Sequence, residues 1–230
     1  MIRTVFLDLD DTILNFGRGE RKALCRTLLD LGINPTPDIV GRYVEINIGL
    51  WRAFERREVD REEVLVGRFR RLFSEFTITA SPRTAEDIYE KYLAMEHDFL
   101  PGALQMLEDL YNDGRYSLYM ATNGNPAVQW PRIKDTDIGK YFKDIFISYD
   151  FGVGKPSREF FERCFERIEG FRADEAIIIG DSLTSDIKGG INAGIKTCHF
   201  NHRNSQYNEI VPDYEIKNLS ELKALIDSIE

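Results

Sequence analysis

From Pro101 onward the chain alternates short apolar runs with helical stretches, and this alternation restricts the fold more than any other feature of the sequence. Strands are expected at 116–122, 145–148, 176–180 and 197–200, with helices at 103–113 and near 157–168, 184–193 and 220–229. Strands joined through helices lie parallel in one sheet, with helices on both faces. A further apolar run, Thr4-Val5-Phe6-Leu7, opens the chain and ends abruptly in Asp8, Asp10, Asp11 and Thr12. The expected fold class is therefore α/β, built on a parallel sheet.

Between these parts the pattern changes. From 17 to 99 the periodicity is helical throughout. Leu24, Leu28 and Leu31 share one helical face, and Gly32, Pro35 and Pro37 end that helix. A second helix is expected at 38–57, a third from Asp60, capped with Glu63 three residues on, and a fourth at 84–97 after the break at Ser81-Pro82. The block reads as a helical insertion between the first strand and the rest of the core.

Composition narrows the function classes. A net charge of −9 argues against a nucleic-acid polymer as partner, though not against a small phosphorylated molecule, because one metal ion and a few cations reverse the sign inside a pocket. Cys25, Cys164 and Cys198 lack metal-type spacing and read as reduced thiols of a cytoplasmic protein. No apolar run reaches spanning length, so no membrane is expected as a partner.

Ligands of open parallel sheets bind beyond the C-terminal ends of the strands. Those ends carry Asp8, Asp10, Asp11 and Thr12; Thr122-Asn123-Gly124; Gly154-Lys155-Pro156 a few residues on; and Gly180-Asp181-Ser182, with Asp186 beyond. Asp8 and Asp10 start on one side of an extended backbone and repel unless a cation sits between them or their roles differ. That suits a hard, oxygen-liganded ion such as Mg²⁺; the other reading of such a strand end is a solvated turn.

Taken together, Asp8-Leu9-Asp10-Asp11-Thr12, Thr122-Asn123-Gly124, Gly154-Lys155-Pro156 and Gly180-Asp181-Ser182-Leu183-Thr184-Ser185-Asp186 resemble the four motifs of the haloacid dehalogenase-like (HAD) phosphohydrolases. The resemblance implies a Rossmann-like core at 1–15 and 100–230 and an inserted helical cap at 16–99 that selects the substrate. It also implies that Asp8 attacks phosphorus and that Asp10 protonates the leaving oxygen and then activates water. Magnesium would be held by Asp8, the Asp10 carbonyl and Asp181, with Asp186 a direct or supporting ligand and Ser182 supporting it. Thr122 and the Asn123 backbone would bind the phosphoryl oxygens, and Lys155 would neutralise charge and keep Asp8 ionised. Asp11 stands where many relatives carry Gly and reads as an outward or hinge-orienting carboxylate.

The cap stretch Asn47-Ile48-Gly49-Leu50-Trp51, with Phe54-Glu55 and Arg68-Phe69, is similar to the pyrimidine 5′-nucleotidase branch, as is 180–194. The substrate implied is a pyrimidine nucleoside 5′-monophosphate. Asn47, Trp51 and Phe54 would present a wall to the base, or else pack the interior of the cap. The mixed charges at 52–71 read as a solvated helix face. A sugar-phosphate or phosphoglycolate phosphatase, or a phosphomutase, would use the same core. A 2-haloacid dehalogenase has no use for Asp10 and Asp181, and a non-enzymatic phosphoacceptor module would be about half this length and lack the helical block.

Overall fold

Strand β1 (Thr4–Leu7) lies in the middle of a six-stranded, all-parallel sheet ordered β3-β2-β1-β4-β5-β6. The computed structural model describes residues 1–207 and 209–229, so Glu230, expected in the core, lies outside the described residues. After β1 come α1 (Phe16–Asp30), α2 (Pro37–Glu55), α3 (Arg61–Glu75), α4 (Pro82–Leu93) and α5 (Ala103–Asp113). Then follow β2 (Ser117–Thr122), α6 (Pro126–Asp135), β3 (Asp144–Ile147), α7 (Ser148–Phe151), α8 (Arg158–Phe165) and β4 (Ala176–Gly180). The chain finishes with α9 (Lys188–Ala193), β5 (Lys196–Phe200), β6 (Tyr214–Ile216) and α10 (Leu222–Ser228). The expected α/β class holds; α6, α7 and β6 are additions to the elements read from sequence.

The chain forms two compact units. One comprises Met1–Asn15, Asp98–Pro126 and Ile133–Glu230; the other comprises Phe16–His97 and Ala127–Arg132. In the first, strand side chains alternate between two apolar layers, as a sheet covered on both faces requires. Val5, Leu7, Leu118, Met120, Ile177 and Ile179 enter one layer; Phe6, Tyr119, Ala121, Ile178 and Phe146 enter the other. Leu14 bridges to Phe99, and Asn15 N donates to Asp98 O at 2.8 Å, pinning the points where the chain leaves and re-enters this unit.

The second unit packs α1 to α4 around Leu24, Leu28, Tyr43, Leu50, Phe69 and Tyr89. Its helix starts are capped by side chains: Thr36 accepts from Ile39 N, Asp60 from Glu63 N at 2.8 Å, and Ser81 from Thr84 N. Ser81-Pro82 is thus the start of α4 itself, since Pro is tolerated in the first turn.

One part of 52–71 departs from the solvated face expected. Arg68 is buried, its guanidinium paired with buried Glu86 at 2.8 Å and donating to Asn47 Oδ1 at 3.0 Å. Asn47 Nδ2 donates to Glu20 Oε1 at 2.6 Å, so the Asn47 amide is engaged inside the helical unit at both ends. Trp51 and Phe54 meet edge to face at 5.8 Å and pack on the same unit's interior, the packing alternative of the two readings.

Candidate active site

In an open parallel sheet the binding crevice falls where the strand order changes direction. Here that strand is β1, whose neighbours β2 and β4 lead to opposite edges. Asp8 follows the last residue of β1, Thr122 is the last of β2, and Asp181 follows the last of β4. Register brings the three to one edge: Leu7 pairs with Met120 on one side and Ile179 on the other, so Thr122 and Asp181 are level with each other and one residue beyond Asp8. Asp8 N donates to Ile179 O at 3.0 Å, carrying the ladder one residue past the strand.

Asp8, Asp181 and Asp186 each offer a carboxylate oxygen within 4.8 Å of the others. Lys155 stands among them, almost wholly buried. Its Nζ donates to Asp8 Oδ1 at 2.7 Å, Asp186 Oδ1 at 2.6 Å and Ala121 O at 2.6 Å, so each ammonium proton has an acceptor. Asn123 fixes the backbone that carries Lys155: its Oδ1 accepts from Lys155 N at 3.0 Å and its Nδ2 donates to Lys155 O at 2.8 Å. From the other side Asn192 Nδ2 donates to Pro156 O at 2.9 Å.

Asp186 is held by its own turn. Leu183–Ile187 is a π-helical turn in which Ile187 N donates to Ser182 O at 3.1 Å, which accommodates the four-residue gap between Asp181 and Asp186. Ser182 N donates to Asp186 Oδ2 at 3.1 Å, and Ser185 N to Ser182 Oγ at 3.1 Å. Gly180 permits this: a Cβ there would collide with the Asp186 carboxylate. Thr12 Oγ1 accepts from Asp181 N at 3.1 Å, and Thr122 Oγ1 accepts from Gly124 N at 3.2 Å. Asp10 follows in the same turn, partly exposed.

Of the two readings of Asp11, outward or hinge-orienting, burial removes the outward one. It is buried, adopts φ 55° in the left-handed region that glycine favours, and is ion-paired to Arg203. Two further groups went unread in the sequence. Arg203 lies just past the end of β5, and His199, within β5, donates from Nε2 to Asp181 O at 2.9 Å while its Nδ1 lies 3.0 Å from the Tyr207 hydroxyl. Extending the strand-end rule to β5, which runs out in Phe200-Asn201-His202-Arg203, would have found Arg203.

The electrostatics show a cluster short of positive charge. Burial pushes Asp8 up from an ordinary 3.8 to about 8; Lys155 opposes the rise, while Asp186 and Asp10 add to it. Burial also carries Asp181 well above the usual range, with Asp186, Asp11 and Asp8 adding and Arg203 opposing. For Lys155 burial acts to lower the pKa, but Asp186 and Asp8 outweigh it and leave the ammonium firmly charged. Carboxylates so placed fit a hard divalent cation, which supplies the charge that one lysine cannot.

Comparison with known proteins agrees with this geometry. The family model for haloacid dehalogenase-like hydrolases matches residues 2–194. The HAD-hydrolase YfnB of Bacillus subtilis is 41% identical over 226 residues, covering 98% of this chain and 95% of that protein. A crystal structure of YfnB bound to magnesium matches with a TM-score of 0.93 over 98% of this chain and 99% of that one. The pyrimidine 5′-nucleotidase PynA of Streptococcus pneumoniae is 35% identical over 224 residues, 97% of this chain and 94% of that protein. The pyrimidine 5′-nucleotidase YjjG of Escherichia coli is 28% identical over 223 residues, 96% of each chain. With a family match across most of its length and whole-length relatives above 30% identity, the chain belongs to the haloacid dehalogenase-like hydrolases.

Proposed function

We propose that the protein is a magnesium-dependent phosphatase that hydrolyses a pyrimidine nucleoside 5′-monophosphate through an aspartyl-phosphate. The observation that carries this is the buried Asp8–Lys155–Asp186 cluster at the switch point of the sheet, with Asp10 two residues from Asp8. The substrate class is supported by the two relatives named pyrimidine 5′-nucleotidase.

Asp8 attacks phosphorus, forming the Asp8–phosphorus bond as the bond to the nucleoside 5′-oxygen breaks. Asp10 gives its proton to that oxygen. As a carboxylate it then takes a proton from water, which attacks the aspartyl-phosphate, releases inorganic phosphate and restores Asp8. Lys155 favours the ionised form of Asp8 against the burial that raises its pKa, and neutralises charge beside the transferring group. Thr122 and the Asn123 backbone N–H donate to phosphoryl oxygens. Asp8, the Asp10 carbonyl and Asp181 would hold Mg²⁺, with Asp186 a direct or supporting ligand, and the ion would supply charge neutralisation for an anion attacking an anion.

The test is phosphate release, with and without magnesium, from UMP, dUMP, dTMP, AMP, glucose 6-phosphate, glucose 1-phosphate and phosphoglycolate, with chloride release from 2-chloropropionate as control. Magnesium-dependent release highest on the pyrimidine nucleotides is expected. Preference for a sugar phosphate or phosphoglycolate would discard the nucleotidase reading and keep the chemistry. Chloride release without phosphate release would overturn both.

A second expectation concerns pH. In the metal-free protein Asp8 is raised to about 8 and Asp181 is raised also. Folded Asp8 therefore binds more protons than in the unfolded chain between about 4 and 8, and the stability this confers falls progressively over that window and is gone above 8. Metal needs ionised carboxylates, so magnesium binding should release protons at pH 6.5 and tighten up to about pH 8. Calorimetry in buffers of different ionisation enthalpy measures this; zero proton release at pH 6.5 would contradict it.

A further inference from the structure

The turn after β5 places a cation on the acidic cluster. Asn201 builds it: Asn201 Oδ1 accepts from Ser205 N at 2.7 Å, Asn201 Nδ2 donates to Ser205 O at 3.0 Å, and Asn204 takes the left-handed conformation that reverses the chain. At the tip the Arg203 guanidinium reaches two carboxylates at once. Nη2 donates to Asp11 Oδ2, and Nη1 stands 3.4 Å from Asp181 Oδ2. Asp11 is itself buried in a left-handed conformation uncommon for a residue with a side chain, with its carboxylate turned to the arginine.

We propose that Arg203 is a tethered counter-cation that sets the affinity of the acidic site for its divalent metal. Anchored on Asp11, it shares the Asp181 carboxylate, and it gives up that share when a metal binds. This rests on the reading of Asp8, Asp181 and Asp186 as the metal site. The physical argument is the sign of the charge. Arg203 lowers the cost of crowding Asp11, Asp181 and Asp186 together, and the same positive charge repels an incoming cation. Its side chain is 53% exposed, so the guanidinium can leave Asp181 for water without itself being stranded in the interior. A guanidinium whose only role was to hold the loop in shape would act in the opposite direction, and its loss would weaken the metal.

The experiment is calorimetric titration with magnesium chloride of the wild type, Arg203→Met and Arg203→Lys, at low and at high ionic strength and in the absence of substrate. Arg203→Met should bind magnesium about tenfold more tightly at low salt, from the loss of one unit charge a few ångströms from the ion. Arg203→Lys keeps the charge and should stay within about threefold of the wild type. High salt should shrink the gap, because this pair is partly exposed. In thermal melts at pH 8, Arg203→Met should be less stable than the wild type without metal and close to it when loaded. Equal or weaker binding by Arg203→Met, beside a wild type that binds normally, overturns the proposal, as does Arg203→Lys matching Arg203→Met. A wild type that binds no magnesium would bring down the metal-site reading and this inference with it, an outcome distinct from the first.

Discussion

Asp8→Asn is expected to lower phosphate release by at least about 10³-fold, the scale on which loss of a nucleophile acts in covalent catalysis. Asparagine keeps the shape of aspartate, and its oxygen still accepts from Lys155 Nζ, the contact Asp8 Oδ1 makes at 2.7 Å. What it loses is the negative charge that, in the proposed mechanism, attacks phosphorus. The fold should survive, and the metal-free variant should gain stability. Asp8 is a carboxylate whose pKa rises to about 8 on folding, so above its ordinary value of 3.8 the folded site works against its ionisation. Removing it relieves that penalty, most fully at pH 8 and above. Single-turnover phosphate release and thermal melts at pH 5 and pH 8 read the two effects separately. A folded Asn variant with normal turnover would remove Asp8 from the nucleophile's role.

That the residues of this rim could be gathered from sequence has a structural reason. Parallel strands align their C-terminal ends, so residues far apart in the chain, Asp8, Thr122 and Asp181, arrive at one edge once the strands are recognised. The two glycines beside them carry information of the same kind. Gly180 leaves room for the Asp186 carboxylate and Gly154 for the Asn123 amide, so both motifs contain a residue that only a close approach explains. Lys155 was legible as a charge but not as the centre of the cluster, because its three acceptors lie on three separate segments of the chain.

The features that escaped reading are those in which local signals conflict with tertiary context. Helix α6 carries Pro131 in its interior and follows the turn-like Asn123-Gly124-Asn125-Pro126; Pro126 in the first turn is a start signal masked by its neighbours. Strand β6 is three residues long, too short for any periodicity, and its existence depends on pairing with β5. Arg68 sits among charges of both signs, and only its partner Glu86, eighteen residues on, makes it an interior residue. Asp11 is the reverse case. Its place in the turn after β1 was visible, but nothing nearby announced φ 55° or Arg203, 192 residues away.

Lys155→Met should strongly destabilise the sheet-bearing unit. Methionine fills nearly the same volume, so packing is largely kept and the effect isolates the charge. Lys155 is 2% exposed and Asp186 is fully buried, with Asp8 close to it. Deleting one partner of a buried ion pair costs about 3–5 kcal/mol, because the remaining charge is left without compensation in a poorly hydrated interior. In a chain of this size that corresponds to a melting temperature lower by about 10 °C. The loss should depend on pH. Without the ammonium, Asp8, which burial already raises to about 8, avoids the penalty only by taking up a proton, so the deficit should be largest at pH 8 and shrink towards pH 5. Magnesium should restore part of the stability at pH 8 by replacing the missing charge, yet turnover should stay low, because Lys155 also holds Asp8 in place from one side. Thermal melts of the wild type and Lys155→Met across pH 5 to 9, each with and without magnesium, measure every part of this. A deficit below about 1 kcal/mol, or one that does not change with pH, would mean that the cluster is not held together by the charge on Lys155.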